Sequence, residues 1–280
     1  MTIVKSADRV MQILETIGSK NHGMTHGELA KVLGIPKGSL SFLLSNLVDR
    51  DYLTFDRSSK LYMLGPTLLV LTGRYLSNLD LVRVGRPIVH ELVSEINEDT
   101  ELAVMKGDEI LFLYKEECSK PLKYSIAIGE RAPLYATSAG KAILAHLSAD
   151  EISLYCSAAS LAPITKNTIT DQEVLRRELN AIRSKGLAYG REEYHHGICA
   201  VAAPIFNLYG NVVGSIVVTL PSVRFNSEHK RFIEPRLQGA SERISRQLGF
   251  HAGSKDGAGS AMAGKTKYGY KKSGAYEGLS

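Results

Sequence analysis

Apolar residues recur along the first fifty positions at helical spacing. Ala7, Val10, Met11, Leu14 and Ile17 repeat at intervals of three and four, which puts them on one face of a helix. Thr25 stands three residues before Glu28, the pairing in which hydroxyl and carboxylate satisfy the free amides of a helix start. Leu29, Ala30 and Leu33 form the buried side of that second helix, and Gly34 supplies the left-handed residue that ends it. Pro36 starts a third helix, because a missing amide costs nothing in the first turn. Its buried stripe is Leu40, Leu43, Leu44, Leu47 and Val48. The period then changes to two. Residues 52–55 and 60–64 alternate as strands around the turn Asp56-Arg57-Ser58-Ser59.

Two short helices joined by Gly-Ile-Pro match a helix-turn-helix, and the hairpin behind them makes a winged helix. The second helix of such a motif enters the major groove by its N-terminal residues. The exposed positions there are Lys37, Gly38, Ser39, Ser41, Phe42, Ser45 and Asn46, with Arg57 and Lys60 at the wing tip. Small polar side chains suit close approach to DNA, and Lys37 can reach a phosphate. Thr25, at the start of the preceding helix, completes the expected nucleic-acid set.

Gly65-Pro66 closes this first part. Leu68, Leu71, Tyr75 and Leu79 recur at helical spacing and predict a linker helix whose apolar stripe a partner subunit would cover. Pro87 interrupts the pattern, and a second helix is expected from there to about Asn97, with Ile88, Leu92, Val93 and Ile96 inward. Beyond it, strands and helices mix. Residues 101–106 and 109–115 flank Gly107-Asp108, a two-residue hairpin turn. Leu122, Tyr124, Ile126 and Ile128 alternate as a further strand. A helix begins at Thr137, and Thr170-Asp171-Gln172-Glu173 reads as a second capping box, opening a helix that ends at Lys185-Gly186. Residues 187–193, 200–206 and 212–220 are three more strands. The last helix, about residues 227–248, contains Pro235 and is expected to bend there.

The pattern therefore divides the chain into residues 1–66, a winged helix; 67–79, a linker helix; 80–250, an α/β domain; and 251–280, a Gly-, Ser- and Lys-rich tail expected to be disordered. Charge follows these divisions. Residues 1–66 hold eight Lys/Arg against six Asp/Glu, a net +2, and the tail holds five lysines against two carboxylates, a net +3. The total is +5, so the body between them is neutral. A basic first domain permits nucleic-acid binding without proving it. Cys118, Cys156 and Cys199 are odd in number and widely spaced, which fits reduced thiols better than a disulfide framework. No apolar run approaches a membrane span, and the first eight residues show no signal peptide, so a cytoplasmic protein with no membrane partner is expected.

Residues 28–66, with ELAKVLGIPKGSLSFLLSNLVDRDYL and YMLGP, resemble the winged helix of the isocitrate-lyase-regulator (IclR) family of bacterial transcription factors. The second domain carries GERAPLYATSAGKAILAHL, GLAYGREEYHHGICAVAAPIFN and GNVVGSIVVTLPSVRF in that family's order and spacing. The resemblance covers about residues 4–249. It implies an α+β fold: winged helix-turn-helix, linker helix, and a C-terminal GAF/PAS-like effector-binding domain. It further implies homodimers, with dimers of dimers as a further state, a double-stranded operator, a small organic or aromatic acid effector from a catabolic operon, no cofactor and no enzymatic activity. Matched residue by residue, the family's pocket falls at Tyr124, Ala132, Ser138, Ala139, Gly190, Ile198, Ala200, Val217 and Thr219. Members that bind small keto-acids tend to place an acid at the Gly190 position, Cys at Ala200 and Ser at Val217. This chain is less polar at all three, with Cys199 one residue off. Family members also often carry Arg where this chain has Phe42, which could meet a thymine methyl instead.

Other patterns have plainer readings. Ser138-Ala139-Gly140-Lys141 has the spacing of an acyl-enzyme nucleophile, but that chemistry's companion motifs are absent. His195, His196 and Cys199 lack an evident fourth metal ligand, so no metal site is expected. Two rival functions remain: a GAF-like sensor acting through protein partners, and a metabolic enzyme with a helical accessory domain. Free amides at the Thr137 helix start would hold the effector's carboxylate. The apolar wall facing them would favour an aromatic or longer-chain acid over glyoxylate or pyruvate.

Overall fold

The computed structural model describes residues 4–20, 22–77, 80–122, 124 and 126–250, with the side chains of 75–77 left aside. The chain forms two compact units, Met1–Asn78 and Leu79–Ser280. The tail after residue 250, expected to be disordered, and Leu79 of the linker stripe both lie outside the described residues.

The first unit begins with α1 (Lys5–Gly18) and β1 (Met24–Thr25), then α2 (His26–Leu33) and α3 (Lys37–Asp49). The wing strands β2 (Leu53–Asp56) and β3 (Leu61–Leu64) follow, then α4 (Pro66–Ser77). The three strands pair antiparallel in the order β1-β3-β2. Ile13, Ile17, Leu29, Ile35, Leu40, Leu44, Leu47 and Leu53 form the core. The seam of α1 is rotated from the one expected: Ile13 and Ile17 are buried and Ala7 and Met11 are exposed. The helix turns its β-branched isoleucines, not its methionine, toward α2 and β3. The Thr25–Glu28 capping box is formed, and Gly34 ends α2 in the left-handed region at φ 61°. Pro36 is the residue before α3 rather than its first, with ψ 135° carrying the chain into Lys37.

The second unit opens with α5 (Asp80–Ile96), β4 (Asp99–Lys106) and β5 (Glu109–Glu116). Then come β6 (Arg131–Pro133), α6 (Ser138–Leu144), α7 (Ala149–Ala158) and α8 (Gln172–Lys185). It ends with β7 (Ala188–Arg191), β8 (Ile198–Phe206), β9 (Val212–Pro221), a 3-10 turn at Ser222–Arg224 and α9 (Ser227–Gln247). Six strands form one antiparallel sheet in the order β6-β5-β4-β9-β8-β7. Helices α5 and α9 pack together on one face of it, and α6 packs on the other against β8 and β9.

Four details differ from the pattern reading. Pro87 lies inside α5, which runs unbroken from Asp80 because Leu81, Val84, Ile88, Val89 and Leu92 bury both halves of it. Proline removes one ladder bond, and that apolar face outweighs the loss. The described residues of 122–128 form no strand. Leu122 and Ile128 face solvent while Tyr124 and Ile126 turn inward, so equal spacing does not give an equal face. Asp171 alone caps α8, accepting from Val174 N at 2.8 Å, with no reciprocal bond from Glu173. Finally, α7 has its own capping box, Ser148 with Glu151, and was not anticipated.

Candidate functional site

The first candidate surface is the open face of α3. Lys37, Gly38, Ser39, Ser41, Phe42, Ser45 and Asn46 are all exposed, while Leu40, Leu44 and Leu47 anchor the opposite side. Phe42 is 82% exposed, an unusual position for a phenyl ring on a helix that also carries an apolar core face. Two of the expected contacts have other commitments. Ser41 Oγ donates to Lys37 O at 2.9 Å and pairs with His26 Nε2 at 3.0 Å. Thr25 Oγ1 accepts from Glu28 N and donates to Glu28 Oε2 at 2.8 Å, so its hydroxyl belongs to the cap. Arg57 and Lys60 stand exposed in the turn between β2 and β3. That turn is held by Asp56, which accepts from Ser59 Oγ, Ser58 Oγ and Ser58 N. These bonds, the Ser59 hydroxyl foremost, pull the Asp56 carboxyl down to about 2.

The second candidate site is a cavity, partly open to solvent, between α6 and the sheet. Eight of the nine expected lining residues are there: Tyr124, Ser138, Ala139, Gly190, Ile198, Ala200, Val217 and Thr219. Ala132 is not. It is 1% exposed on β6, where it pairs with Ile110 and packs into the core of this unit. Phe112, Ile126, Ala136, Thr137, Glu193, Tyr194 and His195 also line the cavity; of these, Phe112, Ile126, Ala136, Tyr194 and His195 fall outside the pocket expected from the sequence.

The α6 end of the cavity is set by two glycines. A Cβ on Gly140 would stand 2.3 Å from Leu134 O, so only glycine lets this turn lie on that backbone. Thr137 Oγ1 accepts from Gly140 N and donates to Pro133 O, both at 3.1 Å. The first helical bond, Lys141 N to Thr137 O, comes later, so the Ser138 and Ala139 amides are without an intrahelical acceptor. Across from them, Gly190 leaves space directly in front of Ser138 N.

The 192–197 turn supplies the remaining wall. Glu192 adopts φ 57° and Gly197 φ 74°, and Glu192 Oε2 accepts from Gly197 N at 2.9 Å. Thr165 and Thr168 donate to the carbonyls of Glu192 and Glu193 at 2.7 Å. This brings the His195 ring to 4.7 Å from Tyr124 and 4.4 Å from Tyr194, centroid to centroid. A cluster of three rings is a flat apolar surface with polar edges. Burial foremost, then the Glu130 charge, pushes the Tyr124 and Tyr194 phenols above their ordinary value, so both stay protonated. The signal for this turn was the run Glu-Glu-Tyr-His-His-Gly, whose aromatic and titratable residues end at a turn-forming glycine.

Cys118, Cys156 and Cys199 are free and buried, with burial raising each thiol above its ordinary value. Among the described residues, no group of three or more His, Cys, Asp or Glu could hold a metal ion, and no helix is long and apolar enough to cross a membrane.

A winged helix with an exposed reading face, in one chain with a cavity-bearing antiparallel α/β unit, is the layout of a transcriptional regulator. The comparisons agree. Residues 6–57 match the model of the IclR helix-turn-helix domain, and residues 73–246 match that of the bacterial transcriptional regulator IclR C-terminal domain. The chain is 30% identical over 249 residues to the HTH-type transcriptional regulator KipR of Bacillus subtilis, covering 89% of this chain and 97% of that one. It is similar in structure to the IclR of Thermotoga maritima, with 25% identity and a TM-score of 0.78 over 89% of this chain and 100% of that one. It is also similar to an IclR homolog from Microbacterium hydrocarbonoxydans complexed with 4-hydroxybenzoate, with 23% identity and a TM-score of 0.75 over 87% and 98% of the two chains. The chain belongs to the IclR family: it is a DNA-binding transcriptional regulator and not an enzyme.

Proposed function

We propose that this regulator controls a catabolic operon by binding a small organic acid in the cavity of residues 80–250, and that the acid changes its affinity for operator DNA. The observation that carries the reading is the cavity itself. Its wall joins two helix-start amides to three clustered rings, which suits a carboxylate on a planar apolar body. A structural neighbour's complex with 4-hydroxybenzoate supports an aromatic acid. The carboxylate takes the Ser138 and Ala139 amides, and Tyr124, Tyr194, His195 and Ile198 flank the ring.

On the DNA side, Lys37, Arg57 and Lys60 contact phosphates while Gly38, Ser39, Phe42 and Asn46 face base edges. The chain acts in the cytoplasm as a homodimer on a pseudo-palindromic site, since two-fold protein symmetry maps onto the DNA. Leu69, Val70 and Leu71 of α4 are exposed in the single chain, which fits a helix that meets a partner copy. Isothermal calorimetry tests the effector reading. Benzoate is expected to bind more tightly than pyruvate, and the reverse order, or equal binding of benzamide and benzoate, contradicts it.

A further inference from the structure

Tyr124 stands in the cavity wall, yet neither a strand nor a helix carries it. Its backbone hangs instead from two cations. Arg224 Nη1 donates to Leu122 O at 2.9 Å, and Lys115 Nζ donates to Tyr124 O at 3.4 Å. A strand residue is placed by ladder bonds to its neighbours, whereas this one takes its position from side chains.

Each cation is fixed by an acid at the junction of α5 and β4. Glu98 is 0% exposed and Asp99 1%. Arg224, in the 3-10 turn after β9, donates Nε to Glu98 Oε1 at 2.9 Å and Nη2 to Glu98 Oε2. A guanidinium engaged on a carboxylate through two nitrogens still has a third in the same plane, and that is the Nη1 that reaches Leu122. Lys115, on β5, has Asp99 Oδ2 at 3.4 Å and Glu117 Oε1 at 3.3 Å. Glu101 stands opposite Lys115 across the sheet and is 0% exposed. It does not draw the ammonium away from Tyr124. It accepts from Thr219 Oγ1 at 3.0 Å, and burial foremost, with the Asp99 charge adding to it, pushes its carboxyl up to about 8.

The same junction holds the chain just before this stretch. Asp99 Oδ1 accepts from Cys118 N at 2.8 Å, Asn97 Oδ1 from Ser119 N at 2.9 Å, and Glu98 Oε1 from Lys120 Nζ at 2.6 Å. Residues 118–120 are thus anchored directly, and Arg224 and Lys115 carry that anchorage on to the backbone of Tyr124. Neither cation lines the cavity. Their effect there passes through the Tyr124 ring, which faces His195 at 4.7 Å.

We propose that Arg224 and Lys115 are positioning residues for the effector: by holding the carbonyls of Leu122 and Tyr124 they set where the Tyr124 ring meets the ligand. The inference rests on the acid-binding reading above and adds to it two residues that touch no ligand.

The test is a double-mutant cycle on benzoate affinity, read by calorimetry on the full chain. Arg224→Lys keeps a cation beside Glu98, but one ammonium lacks the fork that serves Glu98 and Leu122 together. Lys120 Nζ and His229 Nε2 also meet Glu98 Oε1, at 2.6 and 3.0 Å, so the acid keeps partners in the variant. Arg224→Lys is expected to weaken benzoate binding about five-fold in the wild-type background and about two-fold or less in a Tyr124→Leu background, where an apolar wall remains but no ring is left to place. Lys115→Gln, a shorter uncharged side chain, runs the same cycle at the second carbonyl and carries the test if Arg224→Lys does not fold. An equal loss in both backgrounds marks a role in folding alone and overturns the proposal, as does unchanged affinity in the wild-type background. Either result leaves the acid-binding reading standing. No binding of benzoate by the wild-type chain overturns both.

Discussion

Both carboxylate oxygens of Glu193 accept from the Lys141 ammonium, at 2.8 and 2.7 Å, and the lysine is 0% exposed. The pair clamps α6 to the 192–197 turn, the two pieces of backbone that frame the cavity. It also explains the Ser-x-x-Lys spacing without catalysis. The Lys141 Nζ is engaged by Glu193, with Glu178 at 3.7 Å, and is not directed at Ser138 as a base would be. Removing one partner of a buried pair leaves the other charge uncompensated. Lys141→Met is therefore expected to cost about 3–5 kcal/mol. Lys141→Met with Glu193→Gln should cost less than the single change, which a double-mutant cycle of melting curves measures directly.

Gly190 offers the sharpest test of where the carboxylate sits. A Cβ there would stand 3.5 Å from Ser138 N, 3.6 Å from Ser138 Cβ and 3.8 Å from Ala200 Cβ, all ordinary contact distances. Gly190→Ala should accordingly fold with a melting temperature close to that of wild type. Its methyl would occupy the space in front of the Ser138 amide. Affinity for benzoate is expected to fall about ten-fold or more, the cost of one charge-assisted bond. Calorimetry on the variant checks this, and unchanged affinity would place the carboxylate elsewhere.

Glu101 predicts a pH dependence of stability. Its folded-state pKa of about 8 lies above the ordinary 4.5, so the folded chain holds this proton more tightly than the unfolded chain. The contribution is full below the ordinary value, is lost as pH rises toward the folded value, and is level above it. The facing groups are Thr219 on β9, Asp99 on β4 and Lys115 on β5. Glu101→Gln removes the titration. The variant should gain on wild type between about pH 5 and pH 8 by ~1 kcal/mol or more, about 2–4 °C in melting temperature. A constant difference across that range would contradict the buried protonated state.

On the winged helix, Lys37→Ala should weaken binding to every DNA sequence and lower the salt slope by about one ion per subunit. Phe42→Ala should act on sequence preference, at about 1–3 kcal/mol for the base pair it meets. Fluorescence anisotropy at several salt concentrations separates the two. Ser41→Ala should do less than Ser39→Ala, because the Ser41 hydroxyl already serves Lys37 O and His26.

Local chemistry was legible in the sequence where one segment determines it. Thr25 and Glu28 cap their own helix, Gly34 and Gly186 end theirs, and Gly107 turns its own hairpin. Elements decided by distant packing were harder to read. Helix α7 buries only Tyr155 and Cys156, so no apolar stripe announces it. The stretch 122–128 alternates like a strand, yet β6 already pairs with β5 on that side of the sheet. For the cavity, the resemblance located the α6 and β7–β9 walls. Glu193, Tyr194 and His195 arrive through a turn whose direction depends on Thr165 and Thr168, some 25 residues upstream, and no spacing rule reveals that. Glu101 was invisible for a related reason: its chemistry comes from burial beside Asp99 and Thr219, not from its place in a motif.

The central claim is that an acid in the second unit governs DNA binding by the first. It is tested by fluorescence anisotropy of labelled DNA taken from upstream of this chain's own gene, titrated with the full protein with and without a saturating acid that calorimetry shows to bind. The account predicts salt-sensitive binding at a Kd of about 10⁻⁸ M or tighter and a shift of about five-fold or more when the acid is present. A Kd unmoved by an acid known to be bound, or no affinity for that DNA at low salt, would contradict it.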